Sequence, residues 1–139
     1  MAGYSGTPLV KKLGFKPGFR VAFVNAPNEF ASELGELPED TRLVSGKLTS
    51  PLDLIVLFVT SQKAMKSEFP KSAKKLASNG MLWVSWPKKS SGVVTDITEN
   101  IIRDIGLAAG LVDVKVCAVN EVWSGLKFVY RLKDRQPRK

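Results

Sequence analysis

Trp86, Pro87, Lys88 and Lys89 are the segment of this 139-residue chain with the clearest chemical character. An indole beside two ammonium groups suits a phosphorylated or nucleotide-like ligand, through stacking, cation–π attraction and point-charge contacts to phosphate. The plainer alternative is a strand-ending tryptophan packed under a helix and followed by two solvated loop lysines. Ser61 follows Thr60 at the end of an apolar run and opens a helix, where exposed backbone N–H groups favour an anion. Tyr4, Ser5 and Thr7, interleaved with Gly3, Gly6 and Pro8, put hydroxyls on an arm that either closes over a crevice as a lid or only covers the sheet. Asp96, Glu99 and Asp104 are carboxylates available for acid–base work, but helix caps and solvated positions account for them more simply. Trp123 is either a partner-binding anchor or a ring packed on the last helix.

Other chemistry is excluded by composition. The chain has no histidine and one cysteine. That removes the commonest general base, zinc sites of the usual kind, and Ser-His-Asp or Cys-His nucleophilic mechanisms. No metal is expected. Cys117 sits mid-strand between apolar neighbours and reads as a small buried hydrophobe.

The elements that must position these residues follow from periodicity. Leu9 to Leu13 reads as a short helix ending at Gly14, and Lys16-Pro17-Gly18 as a turn. Arg20 to Asn25 is a nearly all-apolar strand stopped by Pro27, with Asn28 capping a short helix over Glu29 to Leu34. Arg42 to Ser45 is a short strand near an edge. Asp53 to Thr60 is the strongest strand, β-branched and uninterrupted. Ser61 caps a helix running through Ser78, kinked or restarted at Pro70 and ended by Asn79-Gly80. Met81 to Trp86 is the next strand. Thr95 or Asp96 caps a helix reaching Ala109. Val112 to Val119 and Gly125 to Leu132 form an antiparallel hairpin. Strands alternating with helices predict a mostly parallel α/β sheet with right-handed crossovers. The fold expected is a Rossmann-like three-layer sandwich of about six strands in order 2-1-3-4-6-5. Residues 1–19 are expected to be an N-terminal arm, 20–132 the α/β domain, and 133–139 a disordered basic tail.

The net charge is +8, unevenly spread. Residues 61–90 hold seven lysines and one glutamate, and residues 127–139 hold six basic residues and one aspartate. Residues 28–53 are acidic, with six carboxylates against two basic residues. Such asymmetry either attracts polyanions or reflects a solvated lysine face. No apolar stretch approaches the ~20 residues that span a bilayer, and no signal peptide is apparent near Met1. A cytoplasmic protein that does not engage membranes is expected.

Three segments resemble a shortened class I S-adenosylmethionine-dependent methyltransferase. They are KKLGFKPGFRVAFVN (Lys11 to Asn25), LASNGMLWVSWPK (Leu76 to Lys88), and IGLAAGLVDVKVCAV followed by WSGLKFVYR (Ile105 to Val119 and Trp123 to Arg131). The chain is also similar to a small bacterial family of uncharacterised domains that carries G-Y-S-G-T-P-L, W-P-K-K, T-D-x-T-E-N and W-S-G-L. Here these are Gly3 to Leu9, Trp86 to Lys89, Thr95 to Asn100 and Trp123 to Leu126. The methyltransferase resemblance implies a glycine-rich turn after the first strand, where backbone approaches the cofactor. In this chain the two glycine positions fall on Asn25 and Pro27. It also implies a carboxylate after the second strand for the ribose hydroxyls, and Arg42 to Gly46 offers none. S-adenosylmethionine is therefore not expected as a cofactor, and fold alone implies no activity.

In an open α/β sheet a ligand binds beyond the carboxyl ends of the strands at the switch in strand order. Asn25, Ala26, Thr60 and Ser61 are expected to converge there, with Trp86, Lys88 and Lys89 one strand further on. Three functions remain open. The first is a non-catalytic binding or regulatory module. The second is a divergent transferase-like enzyme acting on an anionic small molecule. The third is a nucleic-acid binder using Lys63, Lys66, Lys71, Lys74, Lys75 and the basic tail. The hairpin edge also leaves a homodimer open.

Overall fold

The computed structural model describes residues 8–44 and 51–134. The chain runs α1 (Leu9–Lys12), β1 (Arg20–Val24), α2 (Phe30–Leu34), β2 (Arg42–Val44), β3 (Leu52–Phe58), α3 (Gln62–Lys75), β4 (Leu76–Pro87), α4 (Glu99–Ala108), β5 (Leu111–Ala118) and β6 (Trp123–Tyr130). The six strands form one sheet in order β2-β1-β3-β4-β6-β5. β1 pairs in parallel with β2 and β3, and β3 with β4. β6 runs antiparallel to both β4 and β5. The expected fold class and strand order are those observed.

The centre of the sheet is apolar because both of its faces are covered. In β3, Ile55 and Leu57 join one core with Met65 and Phe69 of α3 and Ile102 of α4. Leu54, Val56 and Phe58 face the other core, with Leu13, Phe30 and Trp83. Consecutive β3 side chains thus feed opposite faces, the period of two that a strand imposes. On the second face the α1 segment is held by the Trp83 indole, whose Nε1 donates to the Leu13 carbonyl at 2.8 Å.

Local boundaries differ from expectation for identifiable reasons. α3 does not stop at Asn79-Gly80. It passes directly into β4 at Leu76, and Gly80 lies inside the strand. A Cβ at Gly80 would meet the Leu52 carbonyl at 2.9 Å, so β3 and β4 approach there too closely for a side chain. The register shift between Leu52 and Leu54 absorbs this irregular start. Pro70 sits within a single α3 helix rather than restarting it. α2 begins after Glu29 without a side-chain cap, so Asn28 does not cap it. α4 is capped by Thr98, whose hydroxyl accepts from the Ile101 N–H at 3.3 Å, and not by Thr95 or Asp96. Those two residues are engaged elsewhere, as described below. Leu132–Asp134 form one 3-10 turn, and residues 135–139 of the expected basic tail lie outside the described residues.

α4 lies against the hairpin through Gly106, where an added Cβ would collide with the Phe128 ring. Phe128 is fully buried and stacks edge-on against Phe69 of α3, 5.1 Å between centroids. Overpacking of a filled core costs about 1–3 kcal/mol, against a helix-propensity gain of about 1 kcal/mol for alanine over glycine. Because the clash is with an immobilised ring, Gly106→Ala is expected to be net destabilising. Urea unfolding should show a lower midpoint with an unchanged m-value.

Candidate functional site

The carboxyl ends of β1, β3 and β4 lie side by side, with Val24 opposite Leu57 and Phe58 opposite Ser85. Asn25 and Ala26 follow β1, Thr60 and Ser61 lie between β3 and α3, and Trp86, Lys88 and Lys89 end β4 or follow it. The topology therefore brings together the residues singled out at the switch point. Tyr4, Ser5 and Thr7 lie outside the described residues.

Asn25 has φ of 59°, the left-handed conformation that a glycine supplies without steric cost. Asparagine is among the few side chains that tolerate it. The turn after β1 therefore keeps its left-handed backbone but carries an amide side chain.

Two of the N–H groups at the start of α3 are already taken. The Ser61 hydroxyl accepts from the Ala64 N–H at 3.0 Å. The Gln62 N–H donates to the Asp96 carboxylate at 2.8 Å, and the Gln62 side-chain amide donates to the Asp96 carbonyl at 2.9 Å. Thr95 donates its hydroxyl to the Thr60 carbonyl at 2.6 Å and accepts from the Ile97 N–H at 3.1 Å. The segment 95–97 is thus a strap bound across the β3–α3 junction. The carboxylate it presents occupies the position at which an external anion was expected.

The opposite side of this strand end is filled by rings. Phe23, Phe30, Phe58 and Trp123 form a continuous row of edge-to-face contacts, with successive centroids 5.0, 4.9 and 5.0 Å apart. Phe30 is 1% exposed and Phe58 is 3% exposed, so α2 and the β5–β6 turn close over β1 and β3. Asn120 fastens that closure. Its Oδ1 accepts from the Val122 and Trp123 N–H groups, and its Nδ2 donates to Glu33 of α2 at 2.8 Å. Trp123 therefore packs into the row, on β3 and not on the last helix.

Two open grooves flank the closure. One, of about 370 Å³, is lined by Glu29, Glu33, Glu121 and Trp123 among others. The other, of about 710 Å³, lies beyond β4 between Lys89 and the start of α4, with Asp96 and Glu99 in its wall. Trp86 borders the second groove but is only 6% exposed and belongs to the α3–α4 core, so its ring faces are taken up by packing. This is the tryptophan packed under a helix, rather than a free stacking surface. Lys88 donates its backbone N–H to the Val122 carbonyl, and Lys89 is exposed. Cys117 is half-buried on the hairpin rather than fully buried. Burial pushes its thiol up from the ordinary range, while Lys12 and Lys115 pull it down.

Sequence reasoning missed the strap. Thr95 and Asp96 have the signature of a helix cap, and nothing local shows that the helix they cap is α3, more than thirty residues earlier.

No family model matches the chain, and no curated protein matches it in sequence. Among solved structures it is similar to a S-adenosylmethionine-dependent methyltransferase from Aquifex aeolicus, with TM-score 0.57 and 16% identity over 86% of each chain. It is similar to a TehB-like S-adenosylmethionine-dependent methyltransferase from Corynebacterium glutamicum, with TM-score 0.58 and 10% identity over 94% of this chain and 91% of that one. A third is the magnesium protoporphyrin IX methyltransferase of Synechocystis, with TM-score 0.60 and 10% identity over 88% of this chain and 78% of that one. The chain has a methyltransferase-like fold.

Two substitutions test the geometry of this strand end. Asp96→Ala removes a cap worth about 0.5–2 kcal/mol, and chemical denaturation should show a loss in that range. Asn25→Gly should leave stability nearly unchanged, whereas Asn25→Ala should cost about 1–2 kcal/mol, since alanine gains nothing at positive φ. Equal stability of the two Asn25 variants would refute the left-handed assignment.

Proposed function

We propose that the chain is a non-catalytic binding or regulatory module on a degenerate methyltransferase-like fold. The observation that carries this reading is the closure of the strand-end crevice by the chain's own groups. A carboxylate and a hydroxyl cap the start of α3, and an aromatic row fills the α2 side. The residues present do not fit S-adenosylmethionine. Such a cofactor needs bare backbone after β1, and Asn25 and Pro27 put a side chain and a ring there. The flanking grooves carry carboxylates, which disfavour an anionic substrate.

A divergent transferase-like enzyme acting on an anionic small molecule is the second reading. It is favoured by the left-handed backbone at Asn25 and by the hydroxyl of Ser85, which is buried at the end of β4 without a protein partner among the described residues. Lys89, in the wall of the larger groove, would hold the anion.

Thermal shift separates the two readings. A ligand at 100 times its Kd stabilises by about 2.7 kcal/mol, several degrees for a domain of this size. Millimolar S-adenosylmethionine, nucleotides and phosphorylated metabolites are expected to leave Tm unchanged. A concentration-dependent rise with any of them, abolished by Lys89→Ala, would establish the second reading instead.

A further inference from the structure

The groove of about 370 Å³ between α2 and the β5–β6 turn has walls of two kinds. Pro27, Val122 and Trp123 make it apolar, and Glu29, Glu33 and Glu121 make it acidic. No lysine or arginine among the described residues lines it, and both ion pairs among those residues belong to Arg103. The carboxylates therefore offer acceptors to an occupant that brings donors. Trp123 ends the row of rings that runs from Phe23 through Phe30 and Phe58. Phe30 and Phe58 are enclosed within that row, whereas Trp123 is half-buried, which leaves part of its surface for one more apolar contact.

α1 starts within reach of this groove. Leu9 and Val10 pack on the same core as Phe30 and Trp123. The Lys12 Nζ lies 3.2 Å from the Ala118 carbonyl, and Ala118 is two residues before Asn120 in the groove wall. Four helical residues at ~1.5 Å each, one lysine side chain and two extended residues at ~3.3 Å each thus connect Pro8 to the groove. The seven residues before Pro8 lie outside the described residues, and seven residues extend over roughly 23–25 Å. Their sequence, Met1-Ala2-Gly3-Tyr4-Ser5-Gly6-Thr7, suits these walls. It carries no carboxylate to repel the glutamates. Its three hydroxyls and its backbone N–H groups donate to carboxylates, and Tyr4 supplies a ring for Trp123. The basic residues 135–139 match the glutamates better in charge, but β6 carries them away. That strand starts at Trp123, beside the groove, and ends at Tyr130, toward the opposite end of the sheet.

We propose that residues 1–7 dock in this groove, with Tyr4 against Trp123 and hydroxyl and backbone donors on the glutamates. The chain then fills its own docking surface, and an external ligand for that surface has to displace the segment. The inference goes beyond the binding-module reading and does not depend on it, because the groove has the same walls whether or not the chain is an enzyme.

Tryptophan fluorescence of the full chain, quenched with acrylamide, tests the docking. The chain has three tryptophans, and Trp83 and Trp86 are only 1% and 6% exposed, so Trp123 is the one that a quencher can reach. With the segment docked, the parent should show little quenching. Tyr4→Ser should leave the circular dichroism spectrum unchanged and make about a third of the emission quenchable, one tryptophan of three. Tyr4→Phe keeps the ring and should behave as the parent. A Trp123→Phe background should remove the effect of Tyr4→Ser. The double variant Arg135→Gln/Arg138→Gln should quench like the parent. The proposal is overturned if the parent and Tyr4→Ser quench equally. It is overturned too if the arginine variant exposes Trp123, which would assign the groove to the basic tail. Protection that appears only as protein concentration rises would also sink it, since the occupant would then come from a second copy. A shift of Tm with S-adenosylmethionine or a phosphorylated metabolite leaves these outcomes untouched, so the two readings fail separately.

Discussion

The constraint on which the rest of the structure depends is that β3 is buried on both faces. Its residues from Leu54 to Phe58 are at most 3% exposed and alternate between two cores. A strand so covered must be apolar throughout, and it cannot present chemistry along its length. Polar groups can enter only where the strand ends. The carboxyl end of the central parallel strands is therefore the natural place for a ligand in this architecture, whatever sequence builds it.

In this chain that end is spent on structure. The Asp96 carboxylate and the Ser61 hydroxyl take the N–H groups of Gln62 and Ala64, and Phe30 and Trp123 lie against Phe58 from the other side. These contacts do two jobs at once. They cap a 14-residue helix that begins directly after the central strand, and they join α2, the β5–β6 turn and the segment before α4 into one closed end. The similarity to solved methyltransferases concerns the scaffold. The closure is made by residues of this chain's own, including an asparagine that keeps a glycine's backbone conformation while adding a side chain.

The scaffold was legible because it is written in runs. Arg20 to Val24 and Leu54 to Val59 are continuous apolar stretches, and the alternation of strands with helices specifies parallel crossovers. The order β2-β1-β3-β4-β6-β5 followed from those runs and from the resemblance. What escaped was non-local. The extension of β4 back to Leu76 depends on a close approach of Gly80 to the Leu52 carbonyl, which no local propensity records. Trp86 has the same spacing whether its ring is a ligand platform or core, and only the packing of α4 decides between them. The Lys115–Lys127 pair was invisible for a related reason. The two lysines are separated by a turn and a bulge, and their register across the hairpin is a property of pairing, not of composition.

Charge placement carries the synthesis one step further. A protein of net charge +8 has put carboxylates around its strand-end grooves, Glu29, Glu33 and Glu121 at one and Asp96 and Glu99 at the other. Apart from Lys89, which lines the larger groove, most of its lysines lie elsewhere, along α3 and on the hairpin. Along α3, Lys63, Lys66, Lys71 and Lys74 are exposed and Lys75 is half-buried. On the hairpin Lys115 and Lys127 face each other across the strands, an arrangement that costs stability. The strand end at which an open α/β sheet offers a ligand position and most of the chain's lysines thus lie at different places on the molecule.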